Sequence, residues 1–93
     1  MDYLHYDFAA GAGDVIEVTL DHAANVQLLD QANYDHYRNG RPFRYRGGYV
    51  KESPYLVKVP NAGQWHVVID LGGASGRVKA SARVVRASAG ATS

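Results

Sequence analysis

The sequence predicts an all-β fold: a small antiparallel β-sandwich, or a partly open barrel, of about seven strands with one short helical turn. Three observations predict it. Apolar and polar residues alternate along most of the chain, the alternating runs are short, and glycine- or proline-containing turns separate them. We expect a single domain over residues 1–86 and a flexible tail over 87–93, because "ASAGATS" has neither a pattern nor bulky side chains.

Seven segments have the alternation of half-buried strands. In chain order they are residues 3–8, 14–20, 24–30, 43–50, 55–59, 65–71 and 77–85. Pro54 and Pro60 flank the fifth segment and predict an edge or strand-end position, because proline cannot donate a hydrogen bond to a neighbouring strand. In the sixth segment, alternation places Trp65 in the core and puts His66 and Asp70 on a second, half-covered face.

The segment "DQANYDHYRNG" predicts the helical turn, over residues 31–38. Asp30 can cap its N-terminus, and Tyr34 and Tyr37 have the spacing of one helix face. Arg38 would lie in the last turn, and Asn39-Gly40 would end the helix. The prediction is a helix of two turns at most.

Composition excludes several classes of protein. The 93 residues fit one domain, and the absence of cysteine excludes disulfides, thiolate zinc sites and thiol catalysis. The N-terminus has no basic segment followed by an apolar one, so we predict no signal peptide. No stretch reaches the roughly 18 consecutive apolar residues of a membrane span. We therefore expect a cytoplasmic protein without a membrane partner.

The net charge of +1 hides an uneven distribution. Residues 1–37 contain seven acids and no Lys or Arg, whereas residues 38–93 contain ten Lys or Arg and two acids. Two interpretations stay open. The halves could interleave in the fold and neutralise each other, or the asymmetry could mark a binding surface, including one that joins two copies in a homodimer.

Catalysis has little support in the sequence. His66 and Asp70 are four residues apart on one strand, which places their backbones about 13 Å from each other, too far for a His–Asp dyad. The glycine-rich stretches have neither nucleophile-elbow nor phosphate-loop spacing, and the four histidines have no zinc-ligand spacing. We predict no enzyme, no cofactor and no metal site. A small hydrolase or lyase using His66, Asp70 and tyrosine hydroxyls is the weakest of three function classes.

The segment "RNGRPFRYRGGY" is the strongest candidate for a binding site. It holds four arginines within nine residues, interleaved with aromatic residues; they are Arg38, Arg41, Arg44 and Arg46. If residues 43–46 form a strand, Phe43 and Tyr45 point inward and Arg44 and Arg46 point outward. Outward guanidinium groups suit phosphate or carboxylate groups, because each offers paired donors. The competing interpretation is a solvated face paired with nearby acids.

The leading prediction is a non-catalytic module that binds an anionic small molecule or an acidic protein surface through these arginines. Tyr45, Tyr49 and His66 are candidate rim contacts. The runner-up is a structural or oligomerisation module whose charges pair between subunits. The pI of about 8.1, the acidic first third and the lack of a recognised motif argue against nucleic acid.

The chain resembles a small bacterial family, domain-of-unknown-function family 1883. The resemblance rests on "LHYDF", "GDVIEVTL", "ANVQLLD", "YRNGRPFRYRGG", "VPNAGQWHVVIDLGG" and "GRVKASARV", which together span roughly residues 3–86. Members look like stand-alone β-rich domains or modules joined to a Toll/interleukin-1-receptor-like domain. The resemblance implies a sensing, docking or regulatory role in those relatives and supplies no catalytic residues.

Overall fold

The computed structural model of the chain describes residues 3–71 and 78–86. Within these ranges the chain forms seven strands and one helix, as the sequence predicts. In order they are β1 (Leu4–Ala10), β2 (Val15–Leu20), β3 (Ala24–Asp30), α1 (Gln31–Arg38), β4 (Arg46–Val50), β5 (Tyr55–Lys58), β6 (Gly63–Asp70) and β7 (Ala80–Val85). The predicted tail at 87–93 lies outside the described residues.

The strands form two antiparallel sheets. Sheet A has the order β1-β6-β3-β4 and sheet B the order β5-β2-β7, so the fold is a sandwich with no closed barrel. β5 lies at the edge of sheet B, where the flanking prolines predict it. Among the described residues, the helix is eight residues long, too short to cross a membrane.

The main core lies between the two sheets. Alternate residues of the central strands meet there with almost no exposed surface; the largest are Ile16, Leu28 and Ile69. Trp65 is 6% exposed and belongs to this core, as alternation predicts. Because burying one large aliphatic side chain contributes about 1.5–3 kcal/mol, this shared core is the main source of stability in a domain without disulfides.

The second face of β6 is more buried than the sequence predicts. Val68 is 0% exposed and His66 is 4% exposed, whereas we expected this face to be half covered. The reason is α1, which packs across β3 and β6 and forms a smaller core from Leu29, Tyr34 and Val68. Strand alternation alone does not show which helix covers a sheet face.

The helix begins where the sequence predicts. Asp30 is its N-cap, and its Oδ1 accepts a hydrogen bond of 2.8 Å from the backbone N–H of Asn33. Asn39 follows the last turn and Gly40 has a φ of +70°, which ends the helix. The helix and the segment after it carry the chain from the end of β3, over sheet A, to the start of β4.

β4 is shorter than predicted. It begins at Arg46, and residues 41–45 have no regular structure. The backbone N–H of Arg44 donates to the side-chain Oδ1 of Asn33 at 2.8 Å instead of to a neighbouring strand. The predicted strand over residues 43–50 is therefore wrong in its first three residues, and alternation does not govern their side chains.

Candidate functional site

The four arginines lie on and after α1. Arg38 is the last residue of the helix, Arg41 and Arg44 lie in the connecting segment, and Arg46 is the first residue of β4. All four are exposed. Within the parts of the chain that the structure describes, no carboxylate lies within 4.0 Å of any of them.

Other basic residues are paired across the fold. Arg83 on β7 donates to Glu17 on β2, and Arg86 donates to Asp14 at 3.0 Å. The β2–β7 register places Arg83 directly opposite Glu17. Acids of the first third and bases of the last third thus neutralise each other here, while the arginines of the α1–β4 segment have no such pairing among the described residues.

The aromatic residues between the arginines do not all point inward. Phe43 is half-buried against Tyr37, with ring centroids 5.2 Å apart in an edge-on arrangement. Tyr45 is 48% exposed and contacts Phe43 at 5.8 Å between centroids. The expected inward position of Tyr45 is wrong, because residues 43–45 are outside the strand.

The register of sheet A places several groups on one face at the end of the sandwich. Arg46 is directly opposite Leu28, and Trp65 is directly opposite Asp30. Residues opposite each other share a face, and so do residues two apart on one strand. Arg46, Leu28, Asp30 and Trp65 therefore face the same side, at the open end between the two sheets.

A groove of about 520 Å³ lies at this end of the sandwich. Its lining comprises Leu28, Asp30, Asn33, Arg44, Tyr45, Arg46, Pro60, Asn61 and Trp65. The Trp65 indole N–H donates to the backbone oxygen of Asn61 at 2.9 Å, which ties the β5–β6 turn to the floor. A groove of this size lies within the range of about 300–1,000 Å³ that is usual for small-molecule sites.

The groove includes only some of the predicted site residues. It brings together Arg44, Tyr45 and Arg46. Arg38 lies on the helix side of sheet A, with its guanidinium carbon 5.7 Å from the centre of the Tyr34 ring. Tyr49 is 62% exposed. Its neighbour Val50 is buried and lies on the same face of β4 as Arg46, so alternation points Tyr49 to the opposite face.

His66 does not occupy a rim position. It is 4% exposed, and both of its ring nitrogens are hydrogen-bonded within the domain. Nδ1 is 2.8 Å from Nε2 of His5, and Nε2 is 2.7 Å from Oε1 of Gln31. Burial, followed by the nearby His5, lowers the pKa of His66 below its ordinary value of 6.5.

The hydrogen bonds around His66 run in one direction. The amide nitrogen of Gln31 donates to the carboxylate of Asp35 at 3.1 Å, so the amide oxygen of Gln31 faces His66. His66 must then donate from Nε2, which leaves its Nδ1 as an acceptor for the Nε2–H of His5. The Asp35 carboxylate thus orients the Gln31 amide, and the amide oxygen in turn orients the His66 ring.

Two tyrosines extend this network, which we call the His5–His66 network. The Tyr34 hydroxyl is 3.3 Å from Nδ1 of His5, and the Tyr3 hydroxyl is 3.5 Å from the Tyr34 hydroxyl. The Tyr34 ring stacks on both imidazoles, at 4.4 Å from His5 and 4.1 Å from His66. Burial and the Tyr3 hydroxyl raise the pKa of Tyr34 to about 12, which keeps it protonated as a donor.

Sequence reasoning missed the His5–His66 network. His5 and His66 are 61 positions apart, and only the pairing of β1 with β6 brings them together. Alternation assigns each histidine to a face of its own strand, but it does not give the strand order. The network joins β1, β6 and α1, so we interpret it as a structural clamp on the helix.

Asp70 belongs to another set of contacts. Its Oδ1 accepts a hydrogen bond of 3.0 Å from the side chain of Asn25 on β3. Both nitrogens of His66 are taken by His5 and Gln31, so neither is left to bond Asp70. Across residues 3–71 and 78–86, no group of three or more histidine or acidic side chains is placed to hold a metal ion.

Comparison with known proteins gives one match. The family model described as "Domain of unknown function (DUF1883)" matches residues 1–88. The chain therefore belongs to this family, as the motifs of the sequence indicate. Neither the curated proteins nor the solved structures include a significant match.

Proposed function

We propose that this domain is a non-catalytic binding module that recognises an anionic group through Arg44 and Arg46. The observation that carries the proposal is the position of these two arginines. Both are exposed, both line the groove at the end of the sandwich, and no described carboxylate lies within 4.0 Å of either. Guanidinium groups bind phosphate and carboxylate with paired donors, so an anion at this place would meet unused donors.

The surrounding residues support the same role. Arg38 and Arg41 are exposed residues of the same segment and do not line the groove; they add to its positive charge, and such charge steers an anion toward a site. Tyr45 adds an exposed ring between the two groove arginines. Acidic protein surfaces and anionic small molecules both fit this description.

Charge pairing between subunits is the alternative. It would need an exposed acidic surface on each copy, and Asp14 and Glu17 are already paired with Arg86 and Arg83. Internal pairing removes these two acids from such a surface, so the exposed Asp7, Asp21 and Glu52 would have to supply it. Light scattering in low and high salt tests the alternative: a dimer that dissociates as salt rises would support it, since screening weakens such an interface.

The proposal is tested by a double substitution, Arg44→Glu with Arg46→Glu. Pyrophosphate and a deca-glutamate peptide serve as probes in a ¹H–¹⁵N NMR titration of the wild type. We expect shifts at residues 44–46 and at the Trp65 indole N–H, and we expect the variant to lose them. Its free energy of unfolding should change by less than about 0.5 kcal/mol, because both side chains are exposed.

A control with the same change in charge is Lys51→Glu with Lys58→Glu, since both lysines are exposed and lie outside the groove lining. The control should retain the shifts. If both variants lose the shifts equally, the effect is due to net charge alone, and the proposal is overturned. Absence of shifts with either probe in the wild type would also overturn it.

A further inference from the structure

The groove contains more than an anion site. Its floor includes Leu28, which is 1% exposed, and Trp65, which is 6% exposed. An inorganic anion bound to Arg44 and Arg46 would leave most of the 520 Å³ unfilled. A ligand that fills the groove needs an apolar or planar part beside its anionic group.

The exposed ring of Tyr45 is suited to stacking. The residue is 48% exposed, and contact with Phe43 supports the ring from within. Phe43 is itself packed against Tyr37, so the support reaches back to α1. A ring that is held in place and still exposed stacks on a planar ligand with little loss of side-chain entropy.

Asp30 narrows the class of ligand further. Its Oδ1 accepts bonds from both the backbone and the side-chain nitrogen of Asn33, which fix the orientation of the carboxylate. It lies diagonal to Arg46 across the β3–β4 pair, which corresponds to roughly 7–8 Å between backbones. A peptide rich in acids would place a carboxylate against Asp30, whereas a ligand with an anionic end and an amino group would satisfy both sides.

We propose that the groove binds a nucleoside monophosphate whose base carries an exocyclic amino group. The phosphate lies on Arg44 and Arg46, the base stacks on Tyr45, and the amino group donates to Asp30. This inference rests on the proposed function, because it uses the same two arginines. It adds the class of ligand and assigns a specificity role to Asp30, which otherwise serves as the cap of α1.

The decisive comparison uses cytidine and uridine monophosphates. At one position of the ring, cytosine has an amino donor where uracil has a carbonyl acceptor. A hydrogen bond to a charged group is lost when uracil replaces cytosine, so we expect cytidine monophosphate to bind about tenfold more tightly in calorimetric titrations. Ribose 5-phosphate, which has no base, should bind more weakly than either.

Asp30→Asn is the matched variant. Asparagine caps a helix as well as aspartate does, and its Oδ1 can keep both bonds to Asn33. Its amide nitrogen then replaces the second carboxylate oxygen with a donor, so the preference should reverse in favour of uridine monophosphate. Unchanged circular dichroism shows that the helix has remained intact.

The outcomes separate this inference from the proposed function. If ribose 5-phosphate binds through Arg44 and Arg46 as tightly as the nucleotides, the anion site stands and the nucleotide inference is overturned. The nucleotide inference is also overturned if deca-glutamate binds through these arginines and no nucleotide does. If Asp30→Asn leaves the cytidine-to-uridine ratio unchanged, the role of Asp30 is wrong. If no anionic probe binds, both proposals fail.

Discussion

Replacing Gly47 with alanine should destabilise the domain by about 2–6 kcal/mol. Gly47 is the second residue of β4 and has a φ of +124°, which L side chains rarely adopt. An added Cβ would lie 2.1 Å from the backbone oxygen of Val26 on β3. That oxygen belongs to the neighbouring strand and cannot rotate away, so the two strands must separate. Strain of the dihedral angle contributes about 1–3 kcal/mol, and overpacking adds a similar amount.

Gly48→Ala is the control for the steric part of this estimate. Gly48 has a φ of +153°, but an added Cβ would have no heavy atom within 4 Å. The Gly48→Ala variant should be destabilised only by the dihedral strain, which costs about 1–3 kcal/mol. Urea titrations followed by Trp65 fluorescence measure both free energies of unfolding. The steric argument is refuted if the free energies of unfolding of the two variants differ by less than about 0.5 kcal/mol, which is the size of a typical surface substitution's effect.

Three further predictions concern the core, the helix cap and the histidines. Trp65→Ala should cost about 3–5 kcal/mol through lost burial and a residual cavity, and a urea titration showing less than about 1 kcal/mol would contradict the core assignment. Asp30→Ala should cost about 1 kcal/mol by removing the cap bond to Asn33, whereas Asp30→Asn should be nearly neutral; equal losses would show that the cap contributes nothing. Because the pKa of His66 is lowered in the folded state, the unfolded chain binds the proton more readily than the folded chain does. The stability due to neutral His66 is therefore present above pH 6.5. It is lost as the pH falls from 6.5 toward the folded-state pKa. Urea titrations at several pH values should show this decline, and the same decline in a His66→Gln variant would assign it to other groups.

Local patterns were sufficient to predict most of the elements. Alternation depends only on the two-residue period of a strand, and it correctly placed Trp65 in the core. Pro54 and Pro60 predicted an edge or strand-end position, and β5 is an edge strand; the missing N–H on which the prediction rests is a property of the residue itself. The cap at Asp30 was equally local, since its bond spans three residues.

The site depends on contacts that no local pattern contains. The groove combines β3, β4 and β6, and its shared face follows from the register that pairs Arg46 with Leu28 and Trp65 with Asp30. The inward position expected of Tyr45 failed because residues 43–45 do not extend the strand, and the backbone N–H of Arg44 bonds to Asn33 of α1 instead. Strand order and loop hydrogen bonds are tertiary properties, and the periodicity of a single sequence does not reveal them.

The register also explains what the uneven charge distribution means. β2 belongs to the acidic first third and β7 to the basic last third, and their antiparallel pairing sets Glu17 against Arg83. Part of the asymmetry is therefore neutralised inside sheet B and carries no information about a partner. Among the described residues, the arginines between α1 and β4 stay without a carboxylate partner, at the end of the sandwich where the groove opens. Arg44, Arg46 and Asp30 line this groove together, and under the binding proposed above two guanidinium groups and one fixed carboxylate would favour a ligand that carries both an acceptor and a donor.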